Sequence, residues 1–158
     1  MRVILDGSRV VALEVTLAGI PPGPNQQRGQ HWGRIADTAT FWKGQTTTLI
    51  REAVRRAQKA NHDPRFPWPA VDVEVTFRYT TANRRDVGNL IASLKPVLDG
   101  LVTAGVIKDD SYVYLDDVRA VVQRRLAASR EIVLLVRRCV HVEDQTELRL
   151  PDLKEAAR

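Results

Sequence analysis

The chain has 158 residues, a hydrophobic fraction of 44% and a formal net charge of +5. This composition fits one domain with its own hydrophobic core and excludes a wholly disordered chain. The sequence contains no run of about 18 apolar residues, so no transmembrane helix is predicted.

Charge and cysteine content narrow the class further. Residues 143–158 hold more acids than bases, so the positive charge is concentrated in residues 1–142, which favours polyanionic partners. The one cysteine, Cys139, excludes an internal disulfide and a thiolate metal site, and we interpret it as a small buried residue at a strand end. The first ten residues lack the apolar stretch of a secretory signal. We expect a domain over 1–142, a charged C-terminal tail over 143–158 and a cytoplasmic protein.

The first predicted elements are two short strands, over 3–5 and 10–17, joined at Asp6-Gly7, a pair typical of hairpin turns. An irregular loop is expected over 19–34, because its prolines lack a backbone donor and its glycines lack rigidity. The loop contains no Asp or Glu. Its His31-Trp32 pair either contacts DNA or a neighbouring subunit, or anchors the loop by packing.

A long helix is predicted over 35–59, where the side chains of one buried stripe recur every three or four residues. The stripe consists of Ile35, Ala39, Trp42, Thr46, Leu49 and Ala53. Four basic side chains share one flank by the same periodicity: Lys43, Arg51, Arg55 and Lys59. This basic flank is either a solvated face or a surface that contacts phosphates, and Arg34 precedes it at the end of the loop.

A half-buried strand is predicted over 71–79, where apolar and polar side chains alternate. A second helix is expected over 87–104, and Pro96 should kink or shorten it by removing one backbone hydrogen bond. Two further strands are expected over 112–123 and 131–138, the second inside the sheet because it is apolar on both faces. The pattern predicts an α+β fold, with a small mixed β-sheet and two main helices in a single domain.

Three short segments carry the residue types that phosphodiester hydrolysis needs. In chain order they are Arg84-Arg85-Asp86-Val87-Gly88-Asn89-Leu90, Lys95-Pro96-Val97-Leu98-Asp99-Gly100-Leu101 and Gly105-Val106-Ile107-Lys108-Asp109-Asp110. Such a reaction requires groups that hold hard divalent cations, neutralise charge on the phosphate and activate a water. Carboxylates at loop ends supply the oxygen ligands that Mg²⁺ prefers. Asp86 and Asp110 lie at opposite ends of the predicted helix, so they meet only if the chain folds back or a partner subunit contributes.

Each of these residues also has an ordinary structural interpretation. Asp86 is a suitable helix N-cap, and Asp109-Asp110 is a common turn pair. Lys95 and Asp99 can form an i,i+4 ion pair on a helix surface. Capping and metal binding by Asp86 can coexist through different oxygens. The ordered, joint arrangement favours the functional interpretation.

That arrangement resembles the RusA-type Holliday junction resolvases, which are short single-domain proteins. Their central stretch has basic residues, Asp-x-Asp-Asn-Leu, a lysine, a Leu-Asp-Ala-Leu-like segment, Ala-Gly and an Asp-Asp pair. The chain has matching residues in the same order: Arg84-Arg85-Asp86, Asn89-Leu90, Lys95, Leu98-Asp99-Gly100-Leu101, Ala104-Gly105 and Asp109-Asp110. The likeness covers about residues 10–140, with its specific core at 84–110.

The resemblance implies a RusA-like fold and an Mg²⁺-dependent or Mn²⁺-dependent endodeoxyribonuclease that resolves Holliday junctions or other branched DNA. Asp86 and Asp110 would be catalytic carboxylates and metal ligands, with Asp109 as a neighbouring ligand. Lys95 would neutralise developing phosphate charge or assist the leaving group.

The resemblance also implies how DNA and a second subunit are bound. Arg84, Arg85 and the basic flank would hold the DNA backbone. The family acts as a homodimer, in which paired sites nick two symmetric strands of a four-way junction. Its occurrence in phages and prophages associates the chain with that origin.

The chain departs from the family at Gly88, where a second aspartate is usual. Loss of that carboxylate should weaken cation binding or change the ligand set, and Asp99, Asp116 or Asp117 could compensate. A second hypothesis is therefore a catalytically weakened or inactive protein that binds branched DNA. A third is a basic regulator or packaging accessory protein that contacts DNA through the helix over 35–59.

Overall fold

The computed structural model describes residues 2–7, 9–62 and 64–139, which form five strands and four helices. They are β1 (Arg2–Asp6), β2 (Arg9–Ala18), α1 (Pro24–Gln27), α2 (Trp32–Lys59), β3 (Val71–Arg78), α3 (Val87–Ser93), α4 (Lys95–Ala104), β4 (Leu115–Val122) and β5 (Glu131–Arg138). The predicted charged tail over 143–158 lies outside the described residues. No helix in the described ranges is long and apolar enough to cross a membrane.

The strands form one mixed sheet in the order β1-β2-β5-β3-β4. The β3–β4 pair is parallel and the other pairs are antiparallel. The predicted α+β fold is therefore confirmed. The interior position of β5 is confirmed as well, since β5 lies between β2 and β3 and buries Ile132, Val133, Leu134 and Val136.

The alternation in β3 decides which face of the sheet carries the core. Val71, Val73, Val75, Phe77 and Tyr79 are all buried, while the residues between them are half-buried. Successive side chains of a strand point to opposite faces, so one face of β3 is fully covered. The helix α2 contributes Trp42, Ile50, Ala53 and Ala57 to the buried residues. At its carboxyl end β3 leads into the loop that carries Arg84, Arg85 and Asp86.

The second predicted helix, over 87–104, is two helices rather than one. The helix α3 ends at Ser93, and α4 begins at Lys95 with Pro96 in its first turn. Proline is tolerated there because the first backbone donors of a helix have no intrahelical partner. The predicted interruption by Pro96 is confirmed, and it places Lys95 at the start of a helix. The helix α4 stops at Gly105, whose φ of 83° is left-handed.

Three predicted boundaries are wrong. The loop over 19–34 contains the short helix α1, which has proline at its start, a position where proline's missing donor costs nothing. The helix α2 begins at Trp32 rather than at 35, because the side chain of His31 caps it. The strand expected from 112 begins at Leu115, because Tyr114 and Leu115 donate backbone hydrogen bonds to the Ser111 carbonyl in a turn.

The helices α2 and α4 pack closely at Gly100. A Cβ at this position would lie 2.6 Å from Cβ of Thr46 and 3.1 Å from the Lys43 carbonyl oxygen. The Thr47 hydroxyl donates to the Gly100 carbonyl at 3.3 Å. Glycine therefore sets the distance between the two helices, and with it the position of the α4 residues that face solvent.

Candidate active site

A cavity of about 570 Å³ lies at the end of the sheet that contains the carboxyl end of β3. The N-terminal loop, the β3–α3 loop and the residue before β5 form its walls. The residues that line it and carry polar side chains are Asn25, Gln26, Tyr79, Thr80, Thr81, Asn83, Arg84, Arg85, Asp86, Asn89 and Arg130. Among the described residues that line this cavity, Asp86 is the single carboxylate.

Asp86 is exposed and is the N-cap of α3. Its Oδ1 accepts a hydrogen bond from the Asn89 backbone N–H at 3.2 Å. Among the described residues, Asp86 forms no ion pair. The predicted N-cap is confirmed, and the capping bond occupies one carboxylate oxygen. Metal binding by Asp86 stays a prediction. Its second carboxylate oxygen is the atom that could bind the ion.

Position 88 faces the carboxylate of Asp86. A Cβ at Gly88 would lie 3.2 Å from Asp86 Oδ1. An aspartate at this position would therefore place a second carboxylate beside the first, as the Asp-x-Asp pattern requires. In this chain that place has no side chain, so Asp86 alone supplies acidic oxygens at the start of α3.

Lys95 joins two carboxylates that are far apart in the sequence. Its Nζ donates to Asp99 Oδ1 at 2.7 Å and also contacts Asp110 Oδ2. The hydrogen bond to Asp110 is the main cause that raises the pKa of Lys95, and the bond to Asp99 adds to it. The same bond from Lys95 lowers the pKa of Asp110. At neutral pH Lys95 is therefore an ammonium that lies between the side chains of Asp99 and Asp110.

Asp109 directly precedes the Asp110 of this cluster in the chain. Its Oδ1 accepts the backbone N–H of Asp110 at 2.6 Å. The chain bends at Asp110 and Ser111, and the hydrogen-bonded turn follows at 112–114. A ligand role for Asp109 stays a prediction.

The predicted metal ligands lie on separate parts of the fold. Asp86 is the N-cap of α3, whereas Asp109 and Asp110 follow α4, which ends at Ala104. Within the described ranges, one group of three potential metal-binding side chains has its ligand atoms within 4.8 Å of one another. This group does not contain Asp86, Asp109 or Asp110. Lys95, Asp99 and Asp110 are brought together, and a shared ion between Asp86 and Asp110 stays a prediction.

The group that does meet this distance consists of Asp72, Asp116 and Cys139. It lies where β3 and β4 begin and β5 ends, at the opposite end of the sheet from the cavity. Burial, followed by the negative charge of Asp72, raises the pKa of the Cys139 thiol to about 12. In the absence of a metal ion, the Cys139 thiol is therefore protonated at neutral pH. The half-buried place of Cys139 directly after β5 agrees with a packing role.

Of the three aspartates that could replace a carboxylate at position 88, only Asp99 contacts a predicted site residue. Asp117 forms an ion pair with Arg119 at 2.6 Å, and Asp116 belongs to the cluster with Cys139. Asp99 shares the amine of Lys95 with Asp110.

Arg84 and Arg85 lie side by side but are held differently. The Arg85 guanidinium lies 4.2 Å from the centre of the Tyr79 ring and donates to the Thr81 hydroxyl at 3.2 Å. Burial raises the pKa of Tyr79, so its hydroxyl stays protonated beside this cation. Arg84 is exposed and has no ion-pair partner among the described residues. Arg85 is thus fixed in place, and Arg84 is available to a ligand.

The basic flank of α2 is exposed, but its members differ in their contacts. Arg51 donates to the Thr103 carbonyl at 2.9 Å, at the C-terminal end of α4. Lys43 and Arg55 are exposed, and no ion pair in the described ranges involves them. Arg51 therefore has a structural contact, while DNA binding by Lys43 and Arg55 stays a prediction.

His31 and Arg34 lie at the start of α2. His31 Nδ1 accepts the backbone N–H of Gly33 at 3.2 Å, which satisfies one free donor of the helix. The His31 ring lies 5.5 Å from the exposed Trp32 ring. Arg34 is exposed. Both DNA-binding assignments stay predictions, and capping is the contact that His31 makes.

Sequence analysis did not assign several polar residues of the cavity to a site: Asn25, Gln26, Tyr79, Thr80, Thr81, Asn83 and Arg130. Asn25 lies in the segment that was expected to be irregular. Arg130 precedes β5, and the antiparallel pairing of β5 with β3 places it next to the end of β3. The register of those two strands is the signal that could have identified Arg130, and it is not visible without the sheet order.

A comparison with known protein families found no family that matches this chain. A search among curated proteins also found no matching relative.

Proposed function

We propose that the chain is a metal-dependent endodeoxyribonuclease that cleaves branched DNA, such as a Holliday junction, by phosphodiester hydrolysis. The observation that carries this proposal is the contact of Lys95 with Asp110 across fifteen positions of the chain. It joins two residues, Lys95 and Asp110, to which the resemblance assigns catalytic roles. The exposed Asp86 and the arginines that line the neighbouring cavity support the same chemistry.

The donor set fits a hard divalent cation. The carboxylates of Asp86 and Asp110 would hold Mg²⁺ or Mn²⁺, with Asp109 beside them, because these ions prefer oxygen ligands. When bound, the ion supplies charge stabilisation and a more acidic water. Since one Asp110 oxygen already contacts Lys95, the ion and the ammonium compete for this carboxylate.

Lys95 acts as a cation or a proton donor rather than as a base. Its raised pKa keeps the amine protonated at neutral pH. A protonated amine stabilises negative charge on the phosphate or donates a proton to the leaving oxygen. Arg84 and Arg85 hold the DNA backbone through phosphate contacts, which a guanidinium makes in a bidentate manner.

Incubation of the purified protein with a labelled four-way junction and Mg²⁺ or Mn²⁺ tests the proposal. We expect paired nicks, and we expect Asp110→Asn and Asp86→Asn to abolish them. Asp117→Asn is the matched control. Asp117 is an exposed aspartate that pairs with Arg119 and lies outside the cluster of Lys95, Asp99 and Asp110. The absence of nicks at every ion tried, with a folded protein, would overturn the proposal.

A second candidate function is a weakened or inactive protein that binds branched DNA. The observation that favours it is the orientation of position 88 towards Asp86, where this chain lacks a carboxylate. Gel shifts of the junction without nicking would support this candidate, and Gly88→Asp should then create or raise cleavage. Efficient cleavage by the native chain, abolished by Asp110→Asn, would exclude it.

The finer assignments belong to the same proposal. A homodimer would bring two sites to one junction, and light scattering on the purified protein measures its mass. A cytoplasmic location in a bacterial host, with a phage or prophage origin, fits a DNA-processing enzyme with a basic domain.

A further inference from the structure

The cavity next to Asp86 contains more binding groups than phosphodiester cleavage requires. Its volume of about 570 Å³ lies within the range of pockets that bind whole small ligands. Cleavage itself needs the carboxylates, Lys95 and a cation on the phosphate. The amides of the N-terminal loop and Arg130 have no role in that chemistry.

Three arginines from two loops line this cavity: Arg84, Arg85 and Arg130. The Arg130 carbonyl accepts the Gly19 N–H at 2.8 Å, which fixes its backbone at the end of the sheet. The Arg85 guanidinium lies 4.2 Å from the centre of the Tyr79 ring, and Tyr79 lines the same cavity. Three guanidinium groups against one carboxylate favour a phosphate group as ligand.

Four amide side chains complete the lining: Asn25, Gln26, Asn83 and Asn89. Gln26 Oε1 accepts the Gly23 N–H at 3.1 Å, which orients this amide and leaves its NH₂ group to donate. The side chains of Asn25, Asn83 and Asn89 form no hydrogen bond within the described part of the chain. An amide presents both donors and an acceptor, so it can pair with the edge of a nucleobase.

We infer that this cavity binds one unstacked nucleotide of a DNA strand, with its phosphate on Arg84, Arg85 and Arg130 and its base edge on the amides. This inference rests on the proposed function, because a branched DNA supplies the strand. A base inside a duplex presents its Watson–Crick edge to its partner, so only a nucleotide that has left the stack can reach such a pocket. Arg130 is thereby assigned as a phosphate contact.

Binding of a fluorescently labelled ten-residue oligothymidylate in EDTA tests the phosphate contact without cleavage. We expect Arg130→Gln to weaken binding about tenfold, as the loss of a charge-assisted hydrogen bond does. Arg125→Gln is the matched control, because Arg125 is an exposed arginine of the same loop that does not line the cavity. It should weaken binding less than threefold, by the loss of one surface charge. Equal losses in the two variants would overturn the assignment of Arg130.

An abasic oligomer of the same length tests the base contact. Asn83→Ala should weaken binding of oligothymidylate several-fold and leave binding of the abasic oligomer unchanged. Equal effects on both oligomers would overturn the base pocket. If Arg130→Gln fails to fold, Arg130→Lys replaces it in these measurements. Arg130→Lys should retain part of the affinity for oligothymidylate, because the positive charge remains.

Cleavage of the junction by the same variants separates this inference from the proposed function. Asp110→Asn should abolish cleavage, whereas Arg130→Gln should weaken binding of oligothymidylate. If the native protein never cleaves but Arg130→Gln binds selectively worse, the proposed function fails and the pocket stands. If the junction is cleaved but Arg130→Gln binds like Arg125→Gln, the pocket fails and the function stands.

Discussion

Replacement of Gly100 by alanine tests how closely α4 packs on α2. The added Cβ would lie 2.6 Å from Thr46 Cβ, 2.9 Å from Thr46 Cγ2 and 3.1 Å from the Lys43 carbonyl oxygen. Overpacking of this kind costs about 1–3 kcal/mol. Alanine in place of glycine inside a helix recovers about 1 kcal/mol. Two of the contacts are with Cβ and backbone atoms that cannot rotate away, so the cost should exceed the gain, with a net loss of up to about 2 kcal/mol.

Gly44→Ala is the matched control, because Gly44 also lies inside α2 and a Cβ there would have no atom within 4 Å. It should stabilise the protein by about 0.5–1 kcal/mol through helix propensity alone. Thermal unfolding followed by circular dichroism measures both variants. A change of 1 kcal/mol shifts the melting temperature by roughly 2–4 °C in a chain of this size, so the two variants should move in opposite directions. If Gly100→Ala melts at or above the temperature of Gly44→Ala, the close packing at Gly100 is wrong.

Three further predictions concern the charged residues and position 88. Lys95→Met should raise the pKa of Asp110 towards its ordinary value of 3.8, which carboxyl NMR titration measures. The stability that this ion pair contributes is lost when the pH falls through the lowered pKa of Asp110, and also when it rises through the raised pKa of Lys95. The free energy of unfolding of the variant should therefore depend less on pH at both extremes. Gly88→Asp should tighten Mn²⁺ binding in calorimetry, and unchanged affinity would refute the place assigned to position 88. Lys43→Gln and Arg55→Gln should each reduce the slope of log affinity for junction DNA against log salt by about 0.9 if they contact phosphates; unchanged slopes would make this flank a solvated face.

Much of the fold could be predicted, because its main elements have strong local signals. The strict alternation of β3 and the apolar faces of β5 identify one covered strand and one central strand. Pro96 indicates the break between α3 and α4, since proline disrupts a helix interior. The boundaries at α1 and β4 could not be predicted, because they depend on a four-residue turn of helix and on the Ser111 turn.

The candidate site could be predicted only in part, because its residues meet through tertiary structure. The motif identifies Lys95 and Asp110, and the return of the chain after Gly105 brings them together. Arg130 has no local signal, since it reaches the cavity through strand register. Periodicity places Arg51 on the basic flank but does not show its bond to Thr103, which depends on where α4 lies. Charge patterns in the sequence predict which residues could bind a ligand. The contacts in the structure then show which of these residues stabilise the fold instead.

The central claim is that carboxylates from the start of α3 and from the turn before β4 hold one catalytic cation. Anomalous scattering from Mn²⁺ in crystals of the protein with bound branched DNA tests this claim most directly. We expect one peak that contacts Asp86 and Asp110, with Lys95 displaced from the Asp110 oxygen. A peak confined to Asp72, Asp116 and Cys139, or Asp86 and Asp110 on separate surfaces without a shared ion, would contradict the claim.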